Sequence, residues 1–470
     1  MKFLHLADLH IGKSVNAFSM LEDQEYVLEQ VLGYVRAHRP QAVLIAGDVY
    51  DKTLPGPEAV RVFDRFLTAL AGGADDGSER GAGAGDGGER GAGAEGDGDG
   101  SGRGAGAGAD GGGNYEPPAV IVISGNHDSP ERLGFASRIL QDRNVYLYGL
   151  FDGQMRRVTC ADEYGAVRFY LLPFIRPSAV RRFYAETADA IENSSDAVRV
   201  VIEAMGIDPA GIDAAENGNI YKGTRNVLVA HQFFCAGGDD PERSDSEREL
   251  TGGLDSVDVF TSGIADRFDY AALGHLHGPQ RVGAEHIRYA GSPLKYSFSE
   301  CSHRKAALLV ELRAKGELTV TPLPLTPLRD MRRVKGPLAA LLSRDVSAAG
   351  NTRDYLHVTL TDEDEIIDAL GKLRTVYPNV MELSFENART QADPDLGGAA
   401  DPGGATPLAL FEDFFAAQNG APMRDKQKNT VRALLEPDAD AEADESPDAE
   451  AGGDENAAAD RAEPPEGSAS

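Results

Sequence analysis

Five short runs in this chain are almost wholly apolar, and each ends abruptly in side chains that bind metal ions. Phe3–Ala7 leads into Asp8, Leu9 and His10, and Ala42–Ala46 leads into Gly47, Asp48, Val49, Tyr50 and Asp51. Ala119–Ile123 leads into Gly125, Asn126, His127 and Asp128 after a single serine. Val227–Ala230 runs into His231, and Tyr270–Leu273 into Gly274, His275, Leu276 and His277. Runs this short and this apolar fit strands buried on both faces. Helical patterns at Leu21–His38 and Glu58–Leu70 alternate with them, so residues 1–325 are expected to form an α/β core with helices packed outside a sheet. Ligands collect beyond the carboxyl ends of strands in such sheets, which places the five polar clusters to converge. Gly47, Gly125 and Gly274 are expected to let the backbone turn tightly where bulkier residues would crowd the ligands.

Two aspartates, several imidazoles and an asparagine carbonyl suit a borderline-hard divalent cation, Mn²⁺ foremost, with Fe²⁺ or Zn²⁺ as other occupants. One ion would leave most of these groups unused. Two ions about 3.5–4 Å apart, bridged by a carboxylate, would use them all and stabilise both the attacking and the leaving oxygen of a phosphoryl transfer. A lone D-x-H or G-N-H-D means little; the ordered set at five strand ends carries the inference. The other histidines read differently: His5 as a packed core residue, and His38, His286, His303 and His357 as surface or loop positions. Cys235 reads as a buried thiol acting as a small apolar group.

The net charge of −30 argues against a broad basic face for nucleic acid, and its location matters. Residues 72–114, a glycine-rich imperfect repeat around ERGAGA, carry −6, and residues 437–470 carry −11, leaving −13 to the rest. Neither segment has the apolar residues for a core, so both are expected to be disordered, the first as an insertion within a loop of one domain. Residues 391–406, rich in Gly, Pro and Asp, read as a linker. Between them, 326–390 reads as a small α+β module: strand Arg329–Lys335, helix Pro337–Leu342, strand Tyr355–Leu360, helix Glu363–Val376 and strand Val380–Phe385. Asp8 and His10 interrupt the stretch a signal peptide would need, no apolar run reaches membrane-span length, and Cys160, Cys235 and Cys301 form no framework. The expectation is a cytoplasmic protein with reduced thiols and no membrane contact.

The blocks D-x-H, G-D-x-x-D, G-N-H-D, H and G-H-x-H together resemble the calcineurin-like metallophosphoesterases. HLADLHIGK, AGDVYDKTLP, SGNHDSPERL, AHQFF, LGHLHGPQ and GSPLKYSFSE resemble, within that superfamily, the SbcD-type nuclease subunits. The resemblance is strong over 1–71 and 115–325 and looser over 326–436. It implies a β-sandwich flanked by helices, a small capping domain and C-terminal helices. It implies that Asp8, His10 and His277 hold one metal, that Asn126, His231 and His275 hold the other, and that Asp48 bridges them. His127 would stabilise the transition state or protonate the leaving oxygen, with Asp51 either orienting it or capping a loop. Lys295 and Tyr296 would line the active groove. The implied activity is Mn²⁺-dependent hydrolysis of DNA phosphodiesters, as a 3′–5′ double-strand exonuclease and a hairpin or single-strand endonuclease in repair, recombination and replication. The implied partners are an SbcC-type ABC ATPase and a second copy of the chain.

Some readings stay open. Arg176, Arg181 and Arg182, and separately Arg329, Arg332, Arg333 and Lys335, form basic clusters that fit backbone phosphate contact as well as a solvated face. Residues 407–436 place Leu408, Phe411, Phe414 and Phe415 at helical spacing, with Lys426–Leu435 as a second helix. Such an apolar face either docks on its own core or binds a partner, and the resemblance favours the coiled-coil base of the ATPase. The chain has no G-x-x-x-x-G-K-[ST], so ATP dependence would come from that partner. A small-molecule phosphodiesterase would share every ligand; a structural subunit with a vestigial site would be expected to have lost one.

Overall fold

The computed structural model describes residues 1–72, 116–208, 213–214, 220–221, 223–247, 256–387, 406–419 and 421–435. The glycine-rich insertion, the linker and the acidic tail expected from the sequence lie outside these, apart from the end residues Gly72 and Thr406. The chain divides into two compact units, residues 1–385 and 386–470.

The first four strands build one sheet: β1 (Lys2–Leu6), β2 (Ala42–Ala46), β3 (Ala119–Ile123) and β4 (Val145–Tyr148), all parallel. The next six build a second: β5 (Arg156–Asp162), β6 (Gly165–Leu172), β7 (Arg225–His231), β8 (Tyr270–Gly274), β9 (Gln280–Val282) and β10 (Ala284–Tyr289). Strands β6, β7, β8 and β10 run parallel in it, with β5 and β9 antiparallel at its edges. The chain then returns to the first sheet, where β11 (Ala306–Leu312) pairs antiparallel with β1, and β12 (Leu318–Pro324) closes that edge.

The two-residue period of a strand explains why these sheets stack. Ala42, Leu44 and Ala46 of β2 share a core with Val167, Phe169 and Leu171 of β6 and Val227 and Val229 of β7. Val43 and Ile45 point the other way, against the helices α1 (Leu21–His38) and α2 (Pro57–Leu70). Phe3 binds the layers together, its ring meeting Phe169 and Tyr270 edge-on at 5.6 Å each. The helix α3 (Ser194–Ala204) covers the outer face of the second sheet. The product is an α/β sandwich flanked by helices, the architecture expected. His5 lies in it fully buried, with Nδ1 3.0 Å from the Tyr270 hydroxyl and Nε2 3.2 Å from the Leu273 carbonyl, and Cys235 is buried as read.

Strand β7 is pinned at its start by Arg225, a fully buried guanidinium that donates to Asp162 at 2.5 and 3.0 Å. Burial works to raise the Asp162 carboxyl, but the Arg225 fork, together with the Met1 ammonium paired to the same carboxylate, outweighs it and brings it down to about 2. A carboxylate depressed in this way stabilises the fold above its unfolded value of about 3.9, and that contribution is lost as pH falls toward 2. Asp162→Asn leaves Arg225 buried without a counter-charge and is expected to cost roughly 3–5 kcal/mol. Thermal unfolding at neutral pH measures this, and the penalty should shrink when the scan is repeated below pH 3.

Residues 331–385 form the small module, a three-stranded parallel sheet of β13 (Met331–Gly336), β14 (Tyr355–Leu360) and β15 (Val380–Phe385) with its own core. Two boundaries differ from the sequence reading. The first strand starts at Met331 because Arg329 is held by Asp23 of α1: its backbone N donates at 3.0 Å and its guanidinium at 2.7 Å. The helix expected over 363–376 runs only from Ala369 to Arg374, because Asp368, in a left-handed conformation, caps it by accepting from the Gly371 N at 3.1 Å. His357 lies half-buried on a strand, 3.0 Å from Ser384 Oγ, where a surface or loop position was expected. The basic cluster here is also engaged: Arg332 donates to Asp354 at 2.7 Å and Arg333 to the Phe298 carbonyl at 3.3 Å. Arg329 with Asp23, and the Tyr355 hydroxyl donating to Asp23 at 2.8 Å, fasten the module to α1.

The second unit contributes two helices, α4 (Pro407–Asn419) and α5 (Asp425–Leu435), as the sequence pattern predicts. Phe411 and Phe414 stand 6.3 Å apart, and Lys428 on α5 pairs with Glu412 on α4 at 3.0 Å. Among the described residues no helix is long and apolar enough to cross a membrane.

Candidate metal centre

All five sequence clusters meet at the carboxyl ends of β1, β2, β3, β7 and β8. His10 Nε2 and His277 Nε2 lie 3.0 Å apart, with Asp8 beside them. On the other side, Asn126 Oδ1 stands 3.1 Å from both His231 Nε2 and His275 Nδ1. Asp48 lies between these groups, its Oδ2 3.6 Å from His10 Nε2 and 3.4 Å from His231 Nε2. Every one of these side chains except Asn126 is buried.

The backbone is bent to bring them there. Asp8, His10, Asp48 and His275 all have positive φ, at 53°, 45°, 49° and 115°. Non-glycine residues rarely adopt such angles, and they persist where surrounding structure imposes them, often at functional sites. Of the three glycines expected to turn, only Gly47 does so through its own φ of 86°. Gly125 and Gly274 leave the room that the sequence reading expected a bulkier residue to take: a Cβ would lie 2.1 Å from Asp48 Oδ1 at the first and 1.8 Å from the Ala46 carbonyl at the second.

The donor set fits divalent cations. Neighbouring donors at about 2.1 Å from one ion and at right angles to each other stand about 3.0 Å apart, and the two Nε2 atoms of His10 and His277 meet that separation. Burial pushes the Asp8 carboxyl up to about 7. His231, which burial alone would lower, is raised to about 9 by the Asp48 carboxylate. Burial would raise Asp48 too, yet His231 and His10 hold it well below the ordinary carboxylate range. Burial drops His275 to about 3, leaving a neutral imidazole able to donate its lone pair.

Support comes from residues that the sequence reading did not assign. The Asp128 carboxylate accepts from the backbone N of Val49, Tyr50 and Gly125 at 3.1, 2.9 and 2.9 Å, locking the Asp48 and Asn126 loops together. Gln24 of α1 donates to the His10 carbonyl at 2.7 Å. A polar residue on a helix face otherwise made of Val27, Leu28, Val31 and Leu32 is a signal the sequence did carry. Ser246, Glu247, Glu300 and Lys305 gather behind His277 and had no such signal.

Three sequence assignments change. His127 reaches Asp51 through the backbone: its Nδ1 lies 3.0 Å from the Asp51 carbonyl, while the Asp51 carboxylate is taken by Lys13 at 2.7 Å. A lysine three residues after His10 is a stronger partner for that carboxylate than an imidazole. Tyr296 does not line an open groove. It is buried, its hydroxyl donates to the Leu9 carbonyl at 2.6 Å, and its ring packs at 5.6 and 5.7 Å on His10 and His277. Lys295 is drawn to Asp330 at 2.8 Å and to the Cys301 carbonyl at 2.9 Å.

Buried carboxylates and imidazoles converging at strand ends around a shared aspartate define a metal-dependent phosphoesterase. Comparison with known proteins agrees. The family model described as calcineurin-like phosphoesterase matches residues 1–80, and the one described as type 5 capsule protein repressor C-terminal domain, SbcD_C, matches residues 327–419. A curated relative, the D subunit of nuclease SbcCD from Staphylococcus epidermidis, is 27% identical over 93% of this chain and 98% of its own length. Among solved structures, GAP50 of Plasmodium, described as the anchor in the inner membrane complex, matches at 10% identity over 82% of this chain and 96% of its own. A dimetal phosphatase from Danio rerio matches at 10% over 69% and 99%. Both TM-scores are 0.33, too low to bear on function. The chain is thus similar to calcineurin-like phosphoesterases over its first 80 residues and to an SbcD-type nuclease subunit over most of its length.

Proposed function

We propose that this protein hydrolyses DNA phosphodiester bonds with two divalent ions, Mn²⁺ foremost, as the nuclease subunit of an SbcCD-type complex. One observation carries the two-ion reading: a single carboxylate, Asp48, stands between two ligand groups, within 3.6 Å of His10 and 3.4 Å of His231. Asp8, His10 and His277 would hold one ion, Asn126, His231 and His275 the other, and Asp48 both. When bound, the ions supply charge neutralisation for the phosphate and activation of water near neutral pH.

The chain's own residues do the rest. The His127 backbone N donates to Asp48 Oδ1 at 2.9 Å and so orients the shared carboxylate. A carbonyl can only accept, so His127 Nδ1 carries a hydrogen toward Asp51, and it is the imidazolium form of the ring, with a second proton on Nε2, that can hand that proton to the departing 3′ oxygen and return to the neutral Nδ1–H tautomer. Lys13, holding the Asp51 carboxylate, steadies that loop.

A large substrate and a protein partner are favoured by what lies beyond the sandwich: the small module on α1 and the paired helices α4 and α5. The activities that follow are double-strand 3′–5′ exonuclease and hairpin or single-strand endonuclease in DNA repair, recombination and replication. ATP dependence would come from an SbcC-type ABC ATPase, and the setting is the cytoplasm. Pairing of two copies is supported by Phe135 and Ile139, 81% and 73% exposed in the segment that follows the Asn126 motif.

The test pairs two substrates and two proteins. The full chain should cleave end-labelled blunt duplex and a chromogenic small diester in Mn²⁺. A chain lacking 407–436 should keep the diester activity but no longer co-purify with the ATPase. Diester hydrolysis without any DNA cleavage, even with the ATPase present, would leave the small-molecule phosphodiesterase as the better reading. A complex that survives the deletion would remove the docking assignment.

A further inference from the structure

Behind His277 lies a set of buried charges that the reaction does not use. Glu300 is fully buried, and the side chain of Lys305 is 4% exposed. Burying two opposite charges costs several kcal/mol per ion unless nearly every lone pair and proton is matched. Here they are matched. Lys305 Nζ donates to Glu300 Oε2 at 2.6 Å, to the His277 carbonyl at 2.8 Å and to Ser292 Oγ at 2.8 Å, which uses all three ammonium protons. Glu300 Oε1 accepts from Ser246 Oγ at 2.8 Å, Ser297 Oγ at 3.1 Å and the Tyr296 N at 3.3 Å, and it also stands 3.4 Å from His277 Nδ1 itself.

The set closes on one imidazole. Ser246 Oγ lies 2.9 Å from His277 Nδ1. A hydroxyl that gives its hydrogen to Glu300 can only accept from His277, so Nδ1 carries the hydrogen and Nε2 keeps its lone pair toward Asp8 and His10. The backbone N of His277 donates to Glu247. Its amide, its carbonyl and its outer ring nitrogen are thus all held. At the outer ring nitrogen, His231 and His10 have no such set. His231 Nδ1 meets only the neutral Ala46 carbonyl, at 2.8 Å, and His10 Nδ1 is buried without a hydrogen-bond partner among the described residues.

We propose that Glu300, acting on His277 Nδ1 both directly and through Ser246 and anchored by Lys305, is a positioning residue for His277 that secures the ion shared by Asp8, His10 and His277. The second ion, at Asn126, His231 and His275, does not depend on it. The inference rests on the two-ion reading above. Outer partners of ligating histidines fix the ring and its tautomer, and their loss typically weakens metal affinity about 10–100-fold.

The experiment uses the full chain, stripped with a chelator and titrated with MnCl₂, with bound Mn²⁺ counted by mass spectrometry and the pair distinguished from a lone ion by electron paramagnetic resonance. Wild type should bind two ions and give the spectrum of a coupled pair. Glu300→Gln, nearly the same shape, should keep one ion at wild-type affinity, bind the other about 10–100-fold more weakly, and show a lone-ion spectrum below saturation. Ser246→Ala removes the nearer partner of Nδ1, leaving only the 3.4 Å contact with Glu300, without leaving a charge unpaired, and it decides the matter should Glu300→Gln not fold. It should weaken the same single ion. Two ions at wild-type affinity in the folded variants, or an equal weakening of both, would overturn the inference. A wild type that binds fewer than two ions removes the two-ion reading itself, and this inference with it.

Discussion

Asp48→Ala should lose at least about 10³-fold in Mn²⁺-dependent phosphodiester hydrolysis, because the several kcal/mol that a bridged pair of ions contributes goes with the bridge. No other carboxylate can replace it. Asp8 is turned toward the His275 backbone N, which its two oxygens accept at 2.9 and 3.1 Å, and the Asp51 carboxylate is held by Lys13. The fold should survive. Asp48 follows β2 rather than lying within it, and the sandwich core around Leu44 and Ala46 does not include it. The check is threefold: circular dichroism like wild type, fewer bound Mn²⁺ ions per chain, and initial rates on the chromogenic diester. Wild-type rates from a folded Asp48→Ala protein would refute the assignment of the site.

His127→Ala should separate binding from turnover. The residue supports the shared aspartate through its backbone N, which alanine retains, so metal content should stay at the wild-type level. What is lost is the ring, and with it proton transfer to the leaving oxygen, a contribution of about 10²–10⁴-fold. The deficit should depend on the substrate. A p-nitrophenolate leaves without a proton, whereas the 3′ oxygen of DNA does not leave readily unprotonated, so DNA cleavage should fall much further than hydrolysis of the chromogenic diester. An equal fall on both substrates would assign His127 to transition-state charge stabilisation instead, and a loss of metal would make it a ligand.

The gathering of the candidate ligands was legible in the sequence. Fully apolar runs read as strands because a strand buried on both faces can tolerate little else, and β2, β3 and α1 fall where those runs and periods place them. The polar residues at their ends could be named one by one, and the fold brings every one of them to a single rim. Partnership among charges was not legible. Nothing local marks Glu300 and Lys305 as the backing of His277, or Arg329 as the fastening of the small module to Asp23. Asp51 shows the limit most clearly. The resemblance implied that its carboxylate either orients His127 or caps a loop, yet its carbonyl meets His127 while Lys13 holds the carboxylate.

What the sequence determined by itself was the pattern of burial: where strands run, where they stop, and which metal-binding groups stand at their ends. Hydrophobic periodicity is a local property, so it survives in one dimension. Only the tertiary structure decided which buried donor meets which acceptor, and it bent Asp8, His10, Asp48 and His275 into left-handed backbone to do so. Those choices depend on distances between residues far apart in the chain, and at such range an ångström separates a hydrogen bond from none.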